Sequence, residues 1–175
     1  MNAELSIAFA VLCFVTHARS AHTITGGTTI GSDNIGDTLV RFNDRAHWSH
    51  GRITAIRMLC GQYLLALSIQ YNGQWAPQHG FWNPECATNQ TWTPVYSFGP
   101  DEWITRASLT GEAYVSSVTF TTNKQQSLET CGIPATSTTS ISVLEGGKLE
   151  YVTGMSGCYF DRLQLHWSDF GNFIG

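Results

Sequence analysis

The residues best suited to chemistry in this sequence lie in one short segment, residues 157–161, which reads Gly-Cys-Tyr-Phe-Asp. A carboxylate such as Asp161 accepts hydrogen bonds from hydroxyl groups, and backbone amides donate to hydroxyl oxygens. A sugar offers both kinds of partner on neighbouring atoms. The segment therefore suits a neutral polyhydroxyl ligand, held by Asp161 and by the amides of Cys158, Tyr159 and Phe160.

A structural role explains the same residues equally well. Aspartate often caps its own turn by accepting hydrogen bonds from nearby backbone amides. An aromatic residue beside a turn, such as Tyr159, is more often a packing residue than a platform for a sugar ring. The residues alone therefore leave both interpretations of Asp161 open.

The segment belongs to the last of three related units. Each unit has an alternating apolar run, a glycine, an aromatic residue and a second alternating run, which predicts strand, turn and strand. The glycines recur every 46 to 50 residues, a period typical of a repeated β architecture. They are Gly61, Gly111 and Gly157. Nothing between the units has helical periodicity, so the sequence predicts an all-β fold.

Only the third unit carries a carboxylate in its strand. Leu65 and Ser116 occupy the positions that correspond to Asp161. Strand side chains alternate, so Asp161 shares a face with the apolar residues Leu163 and Leu165, the face expected to be the core. Because a buried ionised carboxylate is costly, we expect Asp161 either to be hydrogen-bonded or to lie at an open rim of the fold.

The composition narrows the range of ligands. The 175 residues suffice for one well-buried domain, and the formal charge is −4 with no basic run. Nucleic acids and anionic membranes both require clustered Lys and Arg, so neither is an expected partner. A surface with few charges favours neutral ligands. The six tryptophans are expected to lie mostly in the core.

The N-terminus predicts secretion. Residues 5–15 form an apolar core of signal-peptide length, and Ala18, Ser20 and Ala21 offer small residues for cleavage. We therefore expect a signal peptide over residues 1–21, cleaved between about 18 and 21, and one mature domain over residues 22–175. No later stretch is apolar enough to cross a membrane. Asn89 begins a sequon that a secreted chain could use for N-glycosylation.

The mature chain retains four cysteines, an even number suited to an oxidising compartment. They are Cys60, Cys86, Cys131 and Cys158. Two disulfides are expected, and the sequence does not choose among the three pairings that four cysteines allow. A zinc site formed by the four thiolates would be the alternative, but no C-x-x-C spacing supports it. A bridge at Cys158 would stiffen the third turn.

Catalysis is not expected. Two carboxyls flanking one bond could hydrolyse a glycoside, but no recognisable motif positions such a pair here. The acidic and histidine residues considered for acid and base are Asp44, His47, His50, His79, Asp101, Glu102, Asp161 and His166. We therefore predict no catalytic residue, no cofactor and no metal.

Two stretches carry a family resemblance. Residues 51–71 with the following Gln78-His79-Gly80, and residues 154–167 with their G-x-x-x-D turn and Leu-His-Trp ending, resemble jacalin-related lectins. The resemblance is greatest to the animal zymogen-granule-type branch, and it covers residues 30 to 167. It implies a β-prism of three four-stranded antiparallel sheets around a pseudo-threefold axis.

The same resemblance implies a metal-independent carbohydrate site at one end of the prism, often for mannose or galactose. Its main loop corresponds to Gly157 through Asp161, and two further segments complete it. These are a glycine loop around Gly36, where the family usually has two glycines, and the middle turn with Glu112. Gly26-Gly27 is the alternative for the glycine loop. The middle turn lacks the basic residues of the zymogen-granule lectins, so sulfated glycans are not expected.

The expected partners are therefore glycans or glycoproteins. A single weak site would gain avidity from a homo-oligomer. The alternative function is a secreted structural or interaction prism that has lost sugar binding, because a fold does not fix a function.

Overall fold

The computed structural model describes residues 23–32, 40–81, 83–136, 139–143 and 147–169. The predicted signal peptide, residues 1–21, and Gly36 lie outside these residues. The strands are β1 Ile24–Gly31, β2 Val40–Asn43, β3 Ile53–Cys60, β4 Leu64–Tyr71, β5 Gln74–Trp75, β6 His79–Gly80, β7 Thr91–Trp92, β8 Tyr96–Ser97, β9 Ile104–Gly111, β10 Val115–Thr122, β11 Cys131–Gly132, β12 Thr139–Val143, β13 Gly147–Ser156 and β14 Phe160–Asp169. A helix of four residues, α1 Arg45–Trp48, separates β2 from β3.

Each predicted unit forms the central hairpin of one sheet, and we name the sheets after the units. The first-repeat sheet is ordered β5-β4-β3-β7, with β6 also pairing with β4 and β8 with β3. The second-repeat sheet is ordered β11-β10-β9-β12, and the third-repeat sheet β1-β14-β13-β2. Both edges of the first-repeat sheet are thus split into two short strands. With each split edge counted once, all three sheets have four strands, which confirms the predicted β-prism.

The third-repeat sheet joins the two ends of the described chain. Its central hairpin, β13 and β14, is flanked by β1 and β2, and every pairing is antiparallel. The strands of the other two sheets follow one another along the chain. The candidate turn between β13 and β14 therefore lies beside the end of β1, where Gly31 pairs with Arg162.

The apolar faces of the three sheets meet in one core. Leu67, Phe120, Leu165 and Trp167 are among its fully buried members, as the period-2 alternation predicts. The expectation for the tryptophans is only partly right, because Trp75 is 44% exposed on an edge strand. Sequence type alone cannot separate the inner from the outer face of a short edge strand.

Two disulfides cross-link the sheets. Cys60 at the end of β3 bonds to Cys131 in β11, with a Cα–Cα distance of 5.0 Å. Cys86, in the segment between β6 and β7, bonds to Cys158 in the third turn, with a Cα–Cα distance of 5.2 Å. The four cysteines of the described residues are thus paired, in one of the three arrangements that the sequence left open.

Buried polar groups between the helix and the core are also paired. Asp44, which is 1% exposed, accepts a hydrogen bond from the Tyr71 hydroxyl at 3.1 Å and contacts His79 Nε2 at 2.7 Å. Burial, and then the charge of Asp44, raise the pKa of Tyr71 far above its usual value. The indole N–H of Trp48 donates to Glu150 at 2.7 Å. These contacts anchor α1 to the prism.

Candidate functional site

The turns of the three repeats converge at one end of the prism. Each contributes one half-buried tyrosine, and the three rings pack against one another. The ring of Tyr63 lies 4.7 Å from that of Tyr159 and 5.8 Å from that of Tyr114, and the rings of Tyr114 and Tyr159 are 5.3 Å apart. Equivalent residues of three repeats in mutual contact place this cluster at the pseudo-threefold axis. The aromatic residue in each unit is therefore a packing residue.

The third turn is compact and held by its own backbone. Residues 157–159 link β13 to β14, and the Gly157 N–H donates to the Tyr159 carbonyl at 2.9 Å. The side chain of Asp161, one residue into β14, is only 3% exposed. Its carboxylate accepts hydrogen bonds from the backbone N–H groups of Gly157 and of Asp161 itself.

The second oxygen of Asp161 is unusual. Asp161 Oδ2 is buried and has no hydrogen-bond partner within the described part of the chain. Most buried polar atoms in proteins are paired, and each exception requires an explanation. The turn-capping role and the ligand role are therefore both compatible with this carboxylate, because capping uses only part of its capacity.

The electrostatics agree with this geometry. Burial raises the pKa of the Asp161 carboxyl, and the two backbone hydrogen bonds oppose the rise without cancelling it. The ionised form therefore has fewer stabilising donors in the folded protein than it has in water. Hydroxyl groups from a ligand would supply such donors at Oδ2 and lower the cost of the charge.

The end of β1 contacts the start of β14 beside the turn. The sequence did not predict this contact. Gly31 has φ +95°, and a Cβ there would lie 1.8 Å from the Asp161 carbonyl oxygen. The next residue, Ser32, donates its N–H to that same oxygen at 2.8 Å and lies 3.3 Å from the Ala113 carbonyl oxygen. Only glycine fits at position 31. A glycine ending an alternating run was the available signal.

The predicted site residues differ in what they can offer. Phe160 is 0% exposed, backbone included, and its side chain belongs to the core. Tyr159 is fixed at both ends, since its ring packs in the tyrosine cluster and its hydroxyl donates to the Cys86 carbonyl. Cys158 is exposed and held by its disulfide. The turn therefore presents a rigid backbone rather than mobile side chains.

Of the two supporting segments, the structure describes only the middle turn. Glu112 is exposed in the turn between β9 and β10, next to Ala113, whose carbonyl oxygen lies 3.3 Å from the Ser32 nitrogen. Gly36 lies outside the described residues. Gly26 pairs with His166 in the middle of the third-repeat sheet rather than with Asp161. The alternative glycine loop at Gly26-Gly27 is therefore distant from the turn along β14.

A surface groove of about 330 Å³ adjoins the disulfide of the third turn. Gln62 from the first turn, Cys86 and Ile133 contribute to its wall. Asn89, the sequon residue, is exposed at this groove with φ 57°. A glycan at Asn89 stays a prediction, and it would stand beside the third turn.

The residues considered for acid–base chemistry do not assemble. Asp44 and His79 contact each other, and Asp44 also accepts from the Tyr71 hydroxyl, so this pair is engaged within the fold. Asp101 pairs with Lys124 on the surface at 2.9 Å. Within the described ranges, no three His, Cys, Asp or Glu residues cluster in a way that could hold a metal ion. Helix α1, the helix of these described ranges, is far too short to cross a membrane.

The chain was compared with known proteins. The jacalin-like lectin domain matches residues 35–166. Zymogen granule membrane protein 16 of Rattus norvegicus is 25% identical over 166 residues, which cover 94% of this chain and 95% of the relative. A mannose-binding jacalin-related lectin from Ananas comosus superposes with a TM-score of 0.65 at 18% identity, over 84% of this chain and 99% of that one. The artocarpin–mannotriose complex superposes with a TM-score of 0.63 at 21% identity, over 85% and 99%.

The sheets and the converging turns define a β-prism with the buried carboxylate of Asp161 beside the third turn at its end. The match over residues 35–166 shows that the chain belongs to the jacalin-like lectin domain family. The similarity to the zymogen granule protein agrees with the animal branch predicted from the sequence. The similarity to the plant lectins shows the shared fold.

Proposed function

We propose that the protein is a secreted lectin that binds a neutral sugar, such as mannose or galactose, without a metal ion. The binding site is the turn formed by Gly157 through Asp161. The observation that carries the proposal is the buried and unpartnered Oδ2 of Asp161 at the end of the prism where the turns meet. Glu112 and the segment around Gly36 complete the site as its neighbours.

The chemistry requires two kinds of contact. Two adjacent sugar hydroxyls donate to the Asp161 carboxylate, and exposed backbone N–H groups of the turn donate to the oxygens of the same hydroxyls. One carboxylate and a few amides provide a modest interaction, so the dissociation constant for a monosaccharide is on the order of millimolar. Multivalent glycans or oligomerisation would raise the avidity.

The cross-links around the turn support this function. Cys158 is tied to Cys86, and the Tyr159 hydroxyl is tied to the carbonyl of the same residue. A binding loop that is already rigid loses less conformational entropy when its ligand arrives. The disulfide and the hydrogen bond to Cys86 hold the backbone amides of the turn in fixed positions. This rigidity favours recognition of a sugar by those amides.

Secretion is part of the proposal. The apolar segment 5–15 and the small residues that follow it are typical of a cleaved signal peptide. The two disulfides are typical of an oxidising compartment. The related rat protein is named for the zymogen granule membrane, a secretory location.

The test is a glycan array on the secreted, mature chain, followed by calorimetry with methyl α-mannoside and methyl α-galactoside. Asp161→Asn, which keeps the shape of the side chain, should abolish binding. Asp101→Asn is the matched control, because it removes a carboxylate that is 75% exposed on the surface. It should bind like the native protein, and EDTA should have no effect.

Retained binding in Asp161→Asn would remove this carboxylate from the site. Sensitivity to EDTA would contradict the metal-free mechanism. A native chain that binds nothing on a broad array would favour the alternative, a secreted structural or interaction prism.

A further inference from the structure

The outer face of the first-repeat sheet carries an arginine between two tryptophans. Arg57 lies in the middle of β3, and its guanidinium carbon is 4.6 Å from the ring centre of Trp92 and 5.6 Å from that of Trp75. The two indoles come from opposite edges of the sheet, on β7 and β5. The sheet therefore places a cation between two aromatic walls.

This cation has no hydrogen-bond acceptor among the residues that the structure describes. Arg57 makes no hydrogen bond or ion pair with any residue that the structure describes, and its Nε is buried without a partner. Arg52, just before β3, donates to the carbonyl oxygens of Glu102 at 3.1 Å and Phe98 at 3.4 Å. The two arginines thus differ, since Arg52 has hydrogen-bond acceptors in the fold and Arg57 contacts the two indole rings instead.

A second polar group beside Arg57 is also unpartnered. Ser68 on β4 is directly opposite Arg57 in the strand register, so the two side chains share the outer face. Ser68 is 3% exposed, and its Oγ makes no hydrogen bond with the described residues. A buried hydroxyl and a guanidinium side by side, both without hydrogen-bond partners among the described residues, suit an oxygen-rich partner.

The corresponding face of the second-repeat sheet shows what a satisfied surface looks like. There the hydroxyls of Thr119 and Thr130 bond to each other at 2.7 Å, and those of Thr121 and Ser127 at 3.2 Å. The hydroxyls of that sheet pair with one another, whereas Arg57 and Ser68 have no hydrogen-bond partner among the described residues.

We propose that Arg57, Ser68, Trp75 and Trp92 form a second binding site, the Arg57 site, for a sugar ring that bears a carboxylate. The planar guanidinium matches the two oxygens of a carboxylate. The indole faces suit the apolar C–H face of a sugar ring, and Trp75 is exposed enough to meet one. The site lies on the outer face of a different sheet from Asp161, so the proposal stands independently of the function proposed above.

The charge of the chain selects a ligand with few charges. With a formal charge of −4 and no basic run, the protein repels a polyanion. A single arginine between two indoles can neutralise one carboxylate. A uronic acid residue therefore fits the Arg57 site better than a polysulfated chain.

The experiment uses the mature secreted chain with Asp161→Asn, so that the third turn does not contribute. Methyl β-glucuronide and methyl β-glucoside, which differ only in the carboxylate, are titrated while tryptophan fluorescence and heat are recorded. The glucuronide should give a saturable change in the millimolar range. The glucoside should bind about tenfold more weakly or not at all, as expected for the loss of a charge-assisted hydrogen-bonded pair.

Variants assign the response to the Arg57 site. Arg57→Gln should weaken glucuronide binding about tenfold or more, because it removes both the positive charge and the planar guanidinium that matches two carboxylate oxygens. Arg57→Lys keeps a cation between the indoles but loses the planar guanidinium, so this variant should bind the glucuronide with intermediate affinity. Trp75→Ala should weaken binding several-fold. Circular dichroism confirms that each variant is folded, and Arg57→Lys tests the site even where Arg57→Gln fails to fold.

Three results would overturn the proposal. They are equal responses to the glucuronide and the glucoside, an unchanged response in folded Arg57→Gln or Arg57→Lys, and binding of acetate or a glutamate-rich peptide as tight as that of the glucuronide. The last result would mean that the site reads a bare carboxylate or a peptide instead of a sugar acid.

Discussion

The first and third turns share one geometry and differ in the polarity of one buried side chain. The Gly61 N–H donates to the Tyr63 carbonyl at 3.1 Å, just as the Gly157 N–H donates to the Tyr159 carbonyl at 2.9 Å. Two residues after each tyrosine comes a buried position. It is occupied by Leu65, at 1% exposure, in the first turn and by Asp161, at 3%, in the third.

The comparison separates what the fold needs from what a ligand needs. Leu65 packs with Leu59 and Ala66 in a small apolar cluster, so the first turn is complete without a partner. Asp161 has the same enclosure, a raised pKa and one oxygen without a partner. A prism can therefore form without a carboxylate in its turn, and the carboxylate of the third turn is a cost to stability that a ligand would offset.

The largest effect should come from making the first turn resemble the third. Leu65→Asp removes a buried leucine and introduces a carboxylate into an apolar cluster, so we expect it to lower the free energy of unfolding by about 4 kcal/mol. Leu65→Ala measures the cavity alone and should cost about 3 kcal/mol. Urea unfolding gives both values. A Leu65→Asp protein as stable as Leu65→Ala would mean that the end of the prism accepts a carboxylate at either turn.

Removing one disulfide at a time should separate stability from binding. Replacing either pair with serines should lower the free energy of unfolding by about 2 to 4 kcal/mol, since each bridge closes a loop of more than 70 residues. Loss of Cys86–Cys158 should also weaken sugar binding, because that bridge holds the third turn. Loss of Cys60–Cys131 should leave the affinity unchanged. Equal affinities in the two double variants would contradict a role for the second bridge in the site.

A smaller and opposite effect is expected from Asp161→Asn. This change removes a buried charge with an unpartnered oxygen, so the free energy of unfolding at neutral pH should rise by about 1 kcal/mol. Because the folded state raises the pKa of this carboxyl, it retains the proton to higher pH than the unfolded state does. Stability from this group is therefore present at low pH and falls as the pH rises through that raised pKa.

Denaturant unfolding between pH 3 and pH 8 checks this sign. The free energy of unfolding of the native chain, relative to that of Asp161→Asn, should fall as the pH rises. Asp101→Asn provides the contrast, since Lys124 lowers the pKa of that exposed carboxyl. A lower stability for Asp161→Asn at neutral pH would show that the carboxylate stabilises its turn.

Much of the fold followed from periodic features of the sequence. The recurring glycines and alternating runs predicted the three hairpins, and the phase of β14 predicted that Asp161 shares its face with Leu163 and Leu165. These features are local, because alternation and turns depend on neighbouring residues. Asp161 stood out in the sequence for the same reason, because it is a carboxylate at a position where the other two units have Leu65 and Ser116.

The contacts that the sequence did not predict are those between distant segments. The disulfides join residues 71 and 72 positions apart, and nothing local distinguishes the three pairings. The approach of Gly31 and Ser32 to Asp161 depends on the pairing of β1 with β14. The position of Arg57 between two tryptophans depends on two edge strands too short to show periodicity.

The most direct test of the central claim is an NMR titration of the Asp161 side-chain carboxyl carbon, without sugar and with saturating methyl α-mannoside or methyl α-galactoside. The account predicts a pKa above the ordinary value of 3.8 in the free protein, and a lower pKa when sugar hydroxyls donate to the carboxylate. An ordinary pKa in the free protein, or a raised pKa that bound sugar leaves unchanged, would contradict it.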